Sequence, residues 1–169
     1  MYVWRCRLGM ITADLNVPND TFRLSVPFKH IDLTHSSGVS FSVELRCGVV
    51  FIYGDVDSGN TLFYNTLMDA KLRDRGRFVS DSILNRVTLF NYTHTLPMLE
   101  SLKLLKGNLI VIDNFDFIRR ECPEIIDYIN DDFSNQYLLI GRVLKGLELN
   151  SGSVAKMVCV DNNHSLYYY

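Results

Sequence analysis

The sequence is short of several things, and each shortage removes a class of explanation. It has no surplus of cations: 17 Lys and Arg stand against 19 Asp and Glu, for a formal charge of -2. Wrapping a polyanion over a broad surface needs a basic field, so nucleic acid is not an expected partner. No apolar run approaches the roughly 18 residues of a membrane helix, and Met1-Tyr2-Val3-Trp4-Arg5-Cys6-Arg7 lacks the charged-then-apolar order of a leader. No membrane insertion is expected. Cys6, Cys47, Cys122 and Cys159 form no C-x-x-C pair, which points to reduced thiols in a cytoplasmic chain rather than a disulfide framework or zinc site. His30 and His35 have no third ligand at metal-binding spacing. No G-x-S-x-G or Cys-His signature marks a nucleophile, and there is no repeat, low-complexity tract or long linker.

What remains is enough apolar material for one well-buried domain, since 47% of the 169 residues are hydrophobic. The expected fold is α/β in a single domain over 1–169. Its portions are a β-rich part at 1–48, an α/β part at 49–142 and a C-terminal β-hairpin within 143–169. Tyr2 to Leu8 and Met10 to Asn16 read as strands turned at Gly9, and Thr21 to Phe28 and Ser40 to Leu45 alternate as half-buried antiparallel strands do. Ile31 to Thr34 suits a further short strand. From Val49 the strands become continuously apolar, which implies a sheet covered on both faces. Val49 to Tyr53, Val87 to Phe90, Asn108 to Asp113 and Gln136 to Arg142 are strands of this kind. Thr61 to Arg73, Leu96 to Leu105 and Pro123 to Asn130 carry amphipathic helical spacing. Val154 to Val160 and Leu166 to Tyr169, around Asp161-Asn162-Asn163-His164, form the hairpin.

One stretch concentrates the chemistry. The Val49 strand stops at Gly54, loops through Asp55-Val56-Asp57-Ser58 to Gly59, and opens a helix at Asn60-Thr61-Leu62. Backbone amides and a helix N-terminus in that arrangement favour a bound anion. The spacing satisfies G-x-x-x-x-G-K-[ST] at every fixed position except lysine, where Asn60 stands. Four apolar residues, Leu109-Ile110-Val111-Ile112, lead to Asp113, a carboxylate at the carboxyl end of a second buried strand. Ligands of open parallel sheets sit beyond those ends. The same residues also suit an ordinary tight βα connection with Ser58 or Thr61 as helix cap, and Arg142 suits a surface ion pair.

On these residues, over about Ser40 to Arg142, the chain resembles the P-loop NTPase superfamily, with AAA-like and ABC-like features. The resemblance implies a three-layer sandwich with a mainly parallel central sheet, extended by antiparallel strands at the N- and C-terminal ends. It implies ATP or another nucleotide with Mg²⁺, held by Gly54, Asp57, Ser58, Gly59, Asn60, Thr61 and Leu62. Thr61 and Asp113 would be the Mg²⁺ ligands, and Asp113 and Arg142 the catalytic positions, with Arg142 similar to a sensor residue. The ABC signature is absent. Asn60 removes the cation that bridges β- and γ-phosphates, Asp55 and Asp57 add negative charge, and Asn114 follows Asp113 where many members place glutamate, leaving Asp116 as the nearest substitute. Loss of a positioned charge from a transition state stabilised by electrostatics predicts weak or no hydrolysis. The expectation is therefore a degenerate nucleotide-binding or regulatory module with a protein partner. A slow Mg²⁺-dependent ATPase and a nucleotide-free scaffold are the alternatives.

Overall fold

Val50, Phe51 and Ile52 are all fully buried, so consecutive side chains on opposite faces of one strand both meet apolar cover. This strand lies near the centre of the computed structural model, which describes residues 2–6, 9–13, 28–54, 58–75 and 83–169. The strands are β1 (Tyr2–Cys6), β2 (Gly9–Ala13), β3 (Phe28–Thr34), β4 (Ser40–Glu44), β5 (Val49–Tyr53), β6 (Val87–Phe90), β7 (Leu109–Ile112), β8 (Gln136–Gly141), β9 (Val154–Val160) and β10 (Asn163–Tyr168). The helices are α1 (Asn60–Arg75), α2 (Thr95–Leu104), α3 (Phe115–Glu121) and α4 (Ile125–Asp131). The strand expected from Thr21 falls, except for Phe28, outside the described residues. Among the described residues no helix is long and apolar enough to cross a membrane.

All ten strands join one sheet in the order β1-β2-β3-β4-β10-β9-β5-β8-β7-β6. β9, β5, β8, β7 and β6 run parallel to one another, whereas β1 to β4 form an antiparallel meander. The expectation of a mainly parallel sheet is corrected by this arrangement: the fold is α/β with a mixed sheet. Phe28, Ile31 and Leu33 of β3 and Phe41 and Val43 of β4 are buried in the same cluster as Phe63 and Leu67 of α1. The C-terminal hairpin is what joins the halves, because β10 pairs parallel with β4 and antiparallel with β9. It lies inside the sheet, not at its end. Asp161 and Asn162 turn it with φ of 48° and 63°, the left-handed pair that a two-residue hairpin with right-handed twist requires.

Alternation along the parallel strands divides the core. Val50, Ile52, Leu109, Val111, Leu138 and Ile140 face a cluster with Phe63, Tyr64, Leu67 and Ala70 of α1. Phe51, Ile110, Ile112, Tyr137 and Leu139 face Met98 and Leu102 of α2, Phe115 and Ile118 of α3, and Ile125 and Ile129 of α4. Helices thus cover the parallel half on both faces, with α1 opposite the other three. α3 is the element that periodicity did not predict. At seven residues it shows barely two turns of pattern, and it begins directly after an αL residue, Asn114, at φ 54°. Gln136, fully buried, ties the halves together: its Oε1 accepts from the Phe28 amide at 3.1 Å, and its Nε2 donates to the Phe28 and Cys47 carbonyls at 3.0 and 3.1 Å.

Candidate functional site

The carboxyl ends of β5 and β7 lie one strand apart, separated by β8. Their connections leave toward opposite faces, since β5 leads to α1 and β7 to α3. A crevice must open between them, as at any such switch point. It is a cleft of about 800 Å³ lined by Gly54 and by Ser58 to Leu62, by Asp113, Asn114 and Asp116, and by Gly141 and Arg142, together with Phe117 and Arg120.

The loop leaves β5 with the Gly54 amide donating to the Gly141 carbonyl at 2.8 Å, which continues the β8 ladder by one step. Asp57, expected to touch a cofactor, lies outside the described residues together with Asp55 and Val56. The chain returns through Ser58 to Gly59, whose φ of +85° belongs to glycine. The Gly59 carbonyl accepts from the Phe63 amide at 2.8 Å, so α1 begins at Asn60. The amides of Asn60, Thr61 and Leu62 consequently have no acceptor within the helix. They stand at the positive end of a 16-residue helix and on the wall of the cleft. A Cβ on Gly54 would come within 2.9 Å of Asn60 Nδ2, and one on Gly59 within 2.6 Å of the His164 ring. Both glycines are required for the loop to close down as it does.

Asn60 gives the site its character. It is 6% exposed, and among the described residues neither Oδ1 nor Nδ2 has a hydrogen-bond partner. Ser58 Oγ and His164 Nδ1 are in the same condition. Buried polar atoms are nearly always satisfied, so several unsatisfied ones around a single loop make that loop the candidate site for a ligand. Thr61, in contrast, is exposed at the helix start.

Asp113 is 6% exposed, and Asn114 Nδ2 donates to its Oδ2 at 3.2 Å. Burial pushes the Asp113 carboxyl above the usual carboxylate range, against the pull of the Asn114 amide. Tyr64 of α1 is pushed up to about 12, chiefly by burial and further by the negative charge of Asp113, which places that charge close to the helix that starts at the loop. Asp116, the substitute for a catalytic glutamate, is already engaged. Its Oδ2 accepts from the Arg142 amide at 2.7 Å and its Oδ1 from the Val143 amide at 3.0 Å, so it ties α3 to the end of β8. Arg142 donates from Nε to the Gly54 carbonyl at 3.1 Å and lines the cleft beside the loop.

The predicted residues that are described therefore meet in one cleft. Phe117 and Arg120, with the guanidinium 5.0 Å over the ring, were missed because they belong to α3. His164 was missed because the sequence placed it in the hairpin turn, whereas it belongs to β10, which starts at Asn163. Among the described residues no group of three or more His, Cys, Asp or Glu side chains is placed to hold a metal. The lining suits an anion more directly than a cation, because the first amides of α1 and the Arg142 side chain share the cleft; Thr61 and Asp113 are the residues there that could hold a metal. Compared with known protein families, with curated proteins and with solved structures, the chain matches none.

Proposed function

We propose that this protein is a nucleotide-binding or regulatory module of P-loop type, with a degenerate phosphate loop and little or no NTP hydrolysis. The observation that carries the reading is the buried, unpartnered Asn60 amide at the start of α1, in the lysine position of a glycine-bounded loop that shares a cleft with Asp113 and Arg142. The parallel block β9-β5-β8-β7-β6, with helices on both faces, supports a three-layer P-loop arrangement within the larger sheet. The free thiols Cys47, Cys122 and Cys159 fit a reducing, cytoplasmic setting.

The amides of Asn60, Thr61 and Leu62 bind the phosphate chain, and the Arg142 guanidinium lies where it adds positive charge. Thr61 and Asp113 would hold Mg²⁺, which when bound offsets phosphate charge. Asn60 contributes a neutral donor and acceptor, so the developing charge of phosphoryl transfer loses the cation that would follow it. Asp116 is held by two backbone amides at the end of β8. Binding survives this set of changes better than turnover does.

Calorimetric titration of the full chain with ATP, ADP and GTP in the presence of Mg²⁺ tests the reading. Saturable binding that disappears in Gly59→Arg is the expected result, and no binding of any of the three rejects it. Phosphate release that is measurable in the wild type and lost in Asp113→Ala would move the conclusion to a slow ATPase.

A further inference from the structure

His164 lies under the loop, on a strand that comes last in the chain. In the β10–β4 pairing it stands opposite Phe41, and its imidazole stacks on that ring with centroids 4.9 Å apart at 28°. Phe41 in turn meets Phe63 of α1 edge-on at 5.6 Å, so the histidine is part of the packing that holds the first turns of the helix. A Cβ on Gly59 would be 2.7 Å from His164 Nδ1, which means that the nitrogen-bearing edge of the ring rests against the glycine. The side chain is 8% exposed, and its Nδ1 has no hydrogen-bond partner among the described residues.

We infer that His164 is a positioning residue for the phosphate loop, and that its protonation is coupled to occupation of the loop by an anion. This rests on the anion-site reading above. Where that reading has a loop without its lysine, an imidazolium beneath Gly59 places positive charge on the same side of the anion as the free amides. By reciprocity, the anion then holds the proton as strongly as the proton holds the anion. Among the described residues the groups packed around the ring bring no charge of their own, and the charged side chain that reaches the loop is Arg142, on the Gly54 carbonyl. Phe41 of β4 and Phe63 of α1 are apolar, Cys159 stands opposite it on β9, and the adjoining loop residues Ser58 and Asn60 are neutral. Asp55 and Asp57 precede Ser58 in the sequence and lie outside the described residues. Asp113, Asp116, Arg120 and Arg142 line the cleft above. His164 is not part of the cleft wall, so it acts through Gly59.

The test uses inorganic sulfate, which remains a dianion across the pH range in question. Its affinity is followed by NMR at the amides of Gly59 to Leu62, from about pH 8 to about pH 5.5, the interval in which imidazole groups take up a proton. Sulfate binding is expected to tighten about tenfold on acidification in the wild type and less than twofold in His164→Gln, as a charge interaction at short range implies. A pH-independent affinity in the wild type, or an equal slope in the variant, overturns the proposal. In the wild type alone, the His164 ring signals give a second measurement that needs no variant. Their titration midpoint must rise when sulfate is added, and an unmoved midpoint overturns the coupling. Absence of sulfate, ATP and ADP binding at every pH would instead reject the anion site itself.

Discussion

The two ends of the parallel strands treat their polar groups in opposite ways. At the amino end of β5 and β8, a cavity of about 490 Å³ is lined by Asn130, Asp132, Asn135 and Ser153, among others. Asp132 accepts from the Ser134 amide at 2.8 Å, the Ser134 hydroxyl at 2.6 Å, Asn135 Nδ2 at 2.7 Å and the Tyr137 hydroxyl. Asn130 donates to the Gly146 carbonyl and accepts from the Glu148 amide, each at 2.9 Å. At the carboxyl end, Ser58, Asn60 and His164 hold buried polar atoms with no partner among the described residues. A saturated network explains itself as structure, whereas orphaned groups cost stability and persist where a ligand uses them. The carboxylates agree. Burial acts to raise Asp132, but the hydrogen bonds from Ser134, Tyr137 and Asn135 outweigh it and hold the group below its ordinary value, while burial leaves Asp113 raised.

The largest effect expected from breaking this contrast is at the saturated end. Asp132→Ala leaves Tyr137, Ser134 and Asn135 donors without their acceptor and should cost about 3 kcal/mol in urea unfolding, with nucleotide affinity unchanged. The pH dependence follows from a depressed carboxylate. Its contribution is complete above the unfolded value near 4 and is lost as pH falls toward the folded value, so acid unfolding should be less steep in Asp132→Asn. Gly59→Ala comes next. The added methyl meets both a positive φ and the His164 ring, and about 2 kcal/mol of stability and most of the nucleotide affinity should go. His164→Ala in the same chain should return the part due to collision and none of the part due to φ, which a double-mutant cycle separates.

Smaller effects are expected at the orphaned end. Asp113 has a raised carboxyl, so its ionisation works against folding once pH rises through the folded value, the reverse of Asp132. Asp113→Asn should therefore raise thermal stability at neutral pH, by about 1 kcal/mol, and weaken Mg²⁺-dependent binding. A loss of stability in that variant would show that the site is built for structure. The smallest effect is for Asn60→Lys, which should strengthen MgATP binding about fivefold by restoring a cation beside the phosphates. Unchanged affinity there would count against the phosphate-loop assignment.

Local pattern made much of this legible. The apolar runs from Val49, Leu109 and Gln136 became buried strands, and Gly54 and Gly59 came to lie just after one strand and just before one helix. Those features rest on side-chain alternation and backbone freedom, which are properties of neighbours in sequence. α3 was not legible, because seven residues hold too little periodicity to separate a helix from a loop. Asp116, in sequence the nearest substitute for a glutamate base, accepts from the amides that follow β8, and an aspartate near a site has the same letter in either role.

By itself, the sequence determined the buried parallel strands, the longer helices and the residues of one glycine-bounded loop. Tertiary structure decided which distant residues meet there. Placing β10 between β4 and β9 brings His164 beneath Gly59, and placing β8 between β5 and β7 brings Arg142 to Gly54 and Asp113. Strand order depends on which apolar faces bury one another most completely across the whole chain, and no local stretch carries that sum.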